Sequence, residues 1–545
     1  MKQKIYIKLK KNNIFLILFI YSAVHVNNLQ LIGTYWDDLG YINTSQLIID
    51  KVKLYFTDFN NLFLGEFNYN FEFYGFLFPL IIFLLTKVEF LNELLISFLN
   101  YFFGYVPLTN LDQQNTLRFL YFYICMLVVL ILILKKYSQI TNKQNSFLFL
   151  ILLLLTPAFN GHLFFNLKDV PFALIYFLSC IFVFDNKNLF IKNFKSNIGS
   201  HLILSILFSS LLLVRFSGII FISFLLFNYF FLNNIRINLK CLINLAFVGL
   251  STTFLFFLLT PSAWRFPLKW VKGAIETQFF LEWGGVVLTN GEFLSATNLP
   301  SNYLFTWFFY QLPWPYILLF FYGVFLFLKR FKNLEVFSKF SIIFISTILI
   351  FFVITTPVTY DGIRQYLFLI PFIIHVIAVS FSNLITNRKN KIFTNIFFVL
   401  FFSFMIYTQY SIYPFTYAYY NELAEEDKIT IDCEKIGGCG YWETDYWGVS
   451  GKEIVRNTKD IVNKDYKILS CTPSQVFTDY YVSENTIDSK NSLYIYTIHR
   501  PELESRLCEN ISIKIENCKT IYTEKRKLRN EFINLSHLLK CDINR

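Results

Sequence analysis

The chain has 545 residues, 55% of them hydrophobic, 20% aromatic and only 16% charged, with a net charge of +11. So large an apolar share excludes an ordinary string of soluble domains, and apolar runs of about 20 residues recur along the chain, so the fold class is a polytopic α-helical membrane protein. The positive balance does not mark a nucleic-acid binder, because the basic clusters fall in short gaps between apolar runs, as cytoplasmic loops do.

The first run, 14–32, follows Lys8, Lys10 and Lys11, so the N-terminus is expected inside. It reads as a retained anchor rather than a cleaved signal. It delivers Asp37 and Asp38, in Gly33-Thr34-Tyr35-Trp36-Asp37-Asp38, to the outer face. Acids at such a boundary are costly to desolvate and mark substrate pathways or catalysis; the plain alternative is a solvated loop. Runs 73–85 and 90–106 are broken by Lys87, Glu89, Asn92 and Glu93. They are either two short crossings or two interfacial helices. Ten further runs follow, at 117–134, 147–157, 170–184, 202–214, 219–232, 242–259, 303–328, 340–355, 366–384 and 392–413. Between them lie Lys135-Lys136, residues 187–195, Arg236 with Lys240, Lys329-Arg330 and Arg388-Lys389, each on the inner side. The expectation is about 11 spans, or about 13 if the ambiguous pair crosses.

Residues 1–413 therefore form a membrane domain, and 414–545 a small outer α/β domain with strands near 493–498 and 511–515. Cys433, Cys439, Cys471, Cys508, Cys518 and Cys541, six of the nine cysteines, lie in this tail. An oxidising compartment would allow disulfides there, with Cys433–Cys439 favoured. No CxxC occurs and only His499 and His537 accompany these cysteines, which supports a zinc site poorly.

This topology places Asp37-Asp38, residues 160–171, Arg215, the loop with Pro261, Trp264, Arg265 and Trp270, residues 360–366 and residues 441–448 on one face. Cations on the outer face run against the usual bias, and each asks for a partner. The partner is either a salt bridge, such as Lys168 with Asp169 or Arg364 with Asp361, or a lipid-linked phosphate. An enzyme that takes sugar from a lipid phosphate needs a carboxylate for the acceptor hydroxyl and cations for the leaving phosphate. It also gains from aromatic rings near the acids.

The order of these motifs resembles the GT-C membrane glycosyltransferases, specifically bacterial relatives of the glycosyltransferase family 39 protein O-mannosyltransferases and the aminoarabinose transferase of lipid A. An acidic pair follows the first span, and Gly161-His162-Leu163-Phe164-Phe165-Asn166-Leu167-Lys168-Asp169-Val170-Pro171 is similar to that family's His-x-Phe-Phe-Asn-Pro-Lys-Asp-x-Pro segment. Tyr360-Asp361-Gly362-Ile363-Arg364-Gln365-Tyr366-Leu367-Phe368 and Glu443-Thr444-Asp445-Tyr446-Trp447-Gly448 resemble two further segments. Leu167 replaces a Pro and Gln365 a His, which removes a titratable group.

The resemblance implies an inverting transfer from a polyprenyl-phosphate-sugar donor to a lipid, glycan or protein acceptor. It places the reaction at the periplasmic face of a bacterial inner membrane, among membrane lipids and without nucleic acid. It implies catalytic roles for Asp37 or Asp38 and for Asp169, and donor-phosphate contacts from Lys168, Arg215 and Arg364. Substrate contacts fall to Tyr35, Trp36, His162, Asn166, Tyr360 and Asp361. No cofactor is certain: many members of the fold class use a divalent metal, yet no His cluster here demands one, so no residue is assigned to metal. The main rival is a transporter or flippase of envelope lipids or glycans, which would show inverted repeats and midplane charges. A scaffold with an outer binding domain would leave the acids unexplained.

Overall fold

The computed structural model describes residues 11–57, 73, 75–192, 194–280, 283–387, 391–424, 442–462, 467–470, 475–480, 492–498 and 514–544. Cys433, Cys439, Cys471, Cys508 and His499 lie outside the described residues.

The chain is a polytopic helical membrane protein with a small C-terminal sheet. Its helices are α1 (Lys11–Leu29), α2 (Asp38–Thr57), α3 (Leu77–Leu85), α4 (Glu89–Phe103), α5 (Asn110–Ile140), α6 (Lys143–Leu154), α7 (Pro157–His162) and α8 (Asp169–Asp185). There follow α9 (Phe194–Val214), α10 (Gly218–Leu232), α11 (Leu239–Leu258), α12 (Pro267–Phe279), α13 (Tyr303–Gln311), α14 (Trp314–Lys329), α15 (Val336–Thr355), α16 (Ile370–Asn387) and α17 (Lys391–Tyr410). By length and composition α5, α9, α11 and α15 can each cross a membrane, as can α16 with the short turn of helix before it. Helix α8 is shorter but buried on every side from Asp169 to Phe184, which makes it the central post of the bundle. A helix apolar all round is stable only inside protein or lipid.

Two expectations change. Helix α3 has 9 residues, about 14 Å of rise, against a hydrocarbon core of about 30 Å. Helix α4 has 15 residues and exposes Phe90, Leu94, Phe98 and Phe102. Neither has the length of a full crossing, so these two helices do not add two complete spans to the count. The run 303–328 is also not one straight span. It breaks by 118° between α13 and α14, where Leu312 precedes Pro313 and leaves the helical region.

The ends of the bundle differ in chemistry. At one end Lys136 of α5 pairs with Asp185 of α8 at 2.9 Å. The opposite end carries the α1–α2 loop, the α7–α8 turn, the α9–α10 turn, a hairpin of β1 (Val286–Thr289) and β2 (Glu292–Ser295), and residues 359–364.

The tail adds α18 (Gly451–Thr458), α19 (Gln475–Thr478) and a four-stranded sheet of β3 (Lys467–Ser470), β4 (Ser492–Ile498), β5 (Lys514–Leu528) and β6 (Glu531–Asn544). The strand order is β3-β4-β6-β5, parallel between β3 and β4 and antiparallel elsewhere. The alternation at 493–498 becomes β4; of 511–515 only Lys514 and Ile515 are among the described residues, and they open the long β5–β6 hairpin. A disulfide joins Cys518 of β5 to Cys541 of β6. Tyr417, Tyr420, Trp442, Tyr446 and Trp447 belong to the same apolar core as the membrane helices.

Candidate active site

The adjacent acids Asp37 and Asp38 have different surroundings. Asp38 opens α2, where a carboxylate suits the positive end of the helix. It is fully buried and accepts both terminal nitrogens of Arg118 from α5, one at 2.7 Å. Arg118 also donates to Asn115 at 3.2 Å. Asp37 is half-buried, and among the described residues its carboxylate makes no hydrogen bond or ion pair. Burial pushes its pKa above the usual carboxylate value; the Arg364 and Lys168 cations pull it back, and Asp361 and Asp169 add to the rise.

The α7–α8 turn is built around Asn166. Its side-chain oxygen accepts the backbone N–H of Lys168 at 3.2 Å and of Asp169 at 2.8 Å, which starts α8. Its amide nitrogen donates to Asp169 Oδ2 at 3.0 Å and lies 3.3 Å from His162 Nδ1. That leaves Nε2 of His162 as the donor to Tyr446 Oη, at 3.1 Å. Burial lowers the His162 pKa to about 3, despite the Asp169 charge, so the ring is neutral at neutral pH. Gly161 is required by close approach, since a Cβ there would stand 2.3 Å from the backbone nitrogen of Tyr417. Asp169 forms an ion pair with Arg215, and its second oxygen lies 3.7 Å from Arg364 Nε. Burial, with Arg215 beside it, lowers the Lys168 pKa to about 7.

Residues 359–364 close the cluster. Asp361 and Gly362 both adopt left-handed backbone, with φ of 59° and 62°. Glycine suits the second position twice over, because a Cβ would also meet the Trp307 ring at 2.8 Å. This turn brings Asp361 back onto Arg364, with Oδ2 2.8 Å from Nη1. The Arg364 guanidinium lies over two rings, 4.9 Å from the centroid of Tyr360 and 4.7 Å from that of Trp447. Trp283 in turn rests on Tyr360, with ring centroids 4.3 Å apart.

Asp37, Lys168, Asp169, Arg215, Asp361 and Arg364 thus share one electrostatic cluster of three cations and three carboxylates. Of the salt bridges expected, Arg364–Asp361 forms, and Arg215 takes Asp169. The Nε–H groups of Arg215 and Arg364 are buried without a hydrogen-bond acceptor among the described residues. Tyr35 is buried against Trp447, Phe165 and Tyr41, whereas Trp36 packs on the core of the tail. Trp264 and Trp270 donate their indole N–H to Phe257 O and Ser262 Oγ and stand apart from the cluster. Among the described residues no set of three His, Cys, Asp or Glu side chains could hold a metal ion, and Asp169 and Asp361 are engaged by arginine. The donor set therefore does not fit the divalent ion that the fold class suggested.

Sequence reasoning missed Arg118 and, although it placed residues 441–448 on the same face, assigned no site residue in the tail. Arg118 was legible as a lone charge inside the apolar run 117–134, which a membrane span tolerates only with a partner.

No family model matches the chain, and no curated protein matches it in sequence. Among solved structures it is similar to ArnT from Cupriavidus metallidurans in the apo state, at 10% identity and a TM-score of 0.48, over 97% of this chain and 98% of that one. It is similar also to ArnT from Cupriavidus metallidurans bound to undecaprenyl phosphate, at 11% identity and a TM-score of 0.46, over 96% and 98% of the two chains.

Proposed function

We propose that this chain is a membrane glycosyltransferase that moves a sugar from a polyprenyl-phosphate-linked donor to a lipid, glycan or protein acceptor at the periplasmic face. The observation that carries the reading is a half-buried carboxylate, Asp37, without a hydrogen bond or ion pair among the described residues and within the field of Lys168 and Arg364. A purely structural cluster would pair each acid, as Asp38, Asp169 and Asp361 are paired. An acid held unpaired with a raised pKa is suited to take a proton.

In the proposed step the acceptor hydroxyl attacks the anomeric carbon and loses its proton to Asp37. The bond from that carbon to the phosphate oxygen breaks, and the phosphate leaves with the electron pair. Lys168, Arg215 and Arg364 hold the phosphate and absorb its developing charge, and the Nε–H of Arg215, without an acceptor among the described residues, is a donor open to it. Asp169 and Asp361 brace those arginines, His162 and Asn166 brace Asp169, and Asp38 anchors the loop through Arg118. Tyr360, half-buried over Arg364, is the aromatic surface offered to the sugar, whereas Tyr35 is fully buried and supports Trp447 from behind.

The test is mass spectrometry of envelope glycolipids and glycoproteins from cells with the gene, without it, and with Asp37→Asn. A glycan lost in the deletion and not restored by Asp37→Asn supports the reading. An unchanged glycan inventory, or full restoration by Asp37→Asn, refutes it.

A further inference from the structure

The tail reaches into the cluster through one short turn. Asp445 gathers it, accepting the backbone N–H of Gly448 at 2.8 Å, of Val449 at 3.2 Å and of Ser450 at 2.9 Å. The hydroxyls of Ser450 and Tyr417 also donate to Asp445. Gly448 permits the left-handed bend in this turn, with φ of 76°. From β6, Ser536 meets Ser450 at 3.0 Å, and Asn534 O accepts from Thr444. The turn is thus fixed to both the bundle and the sheet.

Its two ends touch opposite sides of the cluster. On one side the carbonyls of Trp447 and Val449 accept the backbone N–H of Trp36 at 3.1 Å and of Gly33 at 2.8 Å. These bonds flank the loop that ends in Asp37. On the other side the Trp447 indole lies against the Arg364 guanidinium, as the Tyr360 ring does. Asp361 meets Arg364 Nη1 at 2.8 Å and Asp169 Oδ2 lies 3.7 Å from its Nε, which together fix the guanidinium within its plane. The aromatic faces limit its tilt out of that plane and so preset it for an anion.

We propose that Trp447 is a positioning residue: through its indole face it fixes the Arg364 guanidinium, and through the turn that carries it the tail sets the spacing between that cation and the Asp37 loop. This rests on the phosphate reading of the cluster.

The experiment measures binding of a polyprenyl monophosphate to the full-length purified protein in nanodiscs, by native mass spectrometry. The variants are Trp447→Leu, Trp447→Phe, Arg364→Gln and the double variant Trp447→Leu/Arg364→Gln. Trp447→Leu is expected to weaken binding about 3- to 30-fold, the worth of a buried cation–π contact. Trp447→Phe restores an aromatic face and should recover most of that loss. In the Arg364→Gln background, Trp447→Leu should have no further effect, whereas a general structural defect would add to the first loss. Equal binding by wild type and Trp447→Leu overturns the proposal, as does a full additive loss in the double variant. Failure of the wild type itself to bind the lipid phosphate would instead overturn the function proposed above.

Discussion

The division of labour between Asp37 and Asp38 gives the sharpest test, because the two residues are adjacent and the substitution is the same. Asp→Asn keeps size and hydrogen bonding while removing charge and basicity. At position 37 it removes a carboxylate with no hydrogen bond or ion pair among the described residues, so folding should be nearly unaffected. If that oxygen is the general base, turnover should fall about 10²- to 10⁴-fold with donor binding retained. At position 38 the carboxylate is fully buried and Arg118 is 6% exposed, so solvent cannot take over the lost charge. Breaking such a pair leaves a buried guanidinium uncompensated, at a cost of about 3–5 kcal/mol. Asp38→Asn should therefore lower the apparent unfolding temperature in detergent, and a second change, Arg118→Met, should recover part of the loss. The assays are single-turnover sugar transfer, donor binding and thermal unfolding on the same preparations. Near-normal turnover in Asp37→Asn, or identical phenotypes for the two variants, would refute the reasoning.

Asp37 must be ionised to accept a proton, so the rate should rise with pH through a value above the ordinary carboxylate range; Lys168 must be protonated to hold phosphate, so it should fall again near pH 7. A pH profile without a limb near 7 in the wild type, or with the same limb in Lys168→Met, would count against this assignment. Arg364→Lys should weaken donor binding about 10- to 100-fold, because an ammonium cannot reproduce the planar, multi-donor contacts that the guanidinium makes beside Tyr360 and Trp447. Equilibrium binding checks this, and unchanged affinity would contradict it. Thiol mapping under non-reducing conditions should recover Cys518 and Cys541 in one linked peptide pair, and Cys125, Cys180 and Cys241 as free thiols. Cysteines placed at Lys135 and Lys459 should label from opposite sides of the membrane in intact cells; labelling from the same side would overturn the topology.

Much of the bundle was legible because lipid imposes a simple rule, long apolar runs with basic residues between them. The same rule fails where the chain bends inside an apolar stretch. Nothing in the hydropathy of 303–328 separates α13 from α14, and only Pro313 and Pro315 hint at the break. The motif residues Lys168, Asp169, Asp361 and Arg364 were legible as charges on the wrong side for their environment. The local pair Arg364–Asp361 was legible too, but the partner of Asp169 was not, since it reaches Arg215 across 46 positions of sequence. The split between Asp37 and Asp38 was foreseeable only as a rule that neighbours point apart. It took Arg118, from a separate helix, to decide which one is held.

Helix α5 carries a consequence for engineering. At 31 residues it rises about 46 Å, well beyond the hydrocarbon core. Its projecting first turns hold Asp112, Asn115 and Arg118 at successive heights. Arg118 takes Asp38, Asn115 donates to Thr34 and Asp479, and Asp112 meets the buried Lys452 at 2.5 Å. The helix is thus a mast to which the α1–α2 loop and the tail are both lashed. A chimera that exchanges the tail at residue 414 would part these lashings, whatever its own stability. An exchange that carries residues 30–38 and 108–118 along with the tail would keep them, and is the graft expected to yield a working protein.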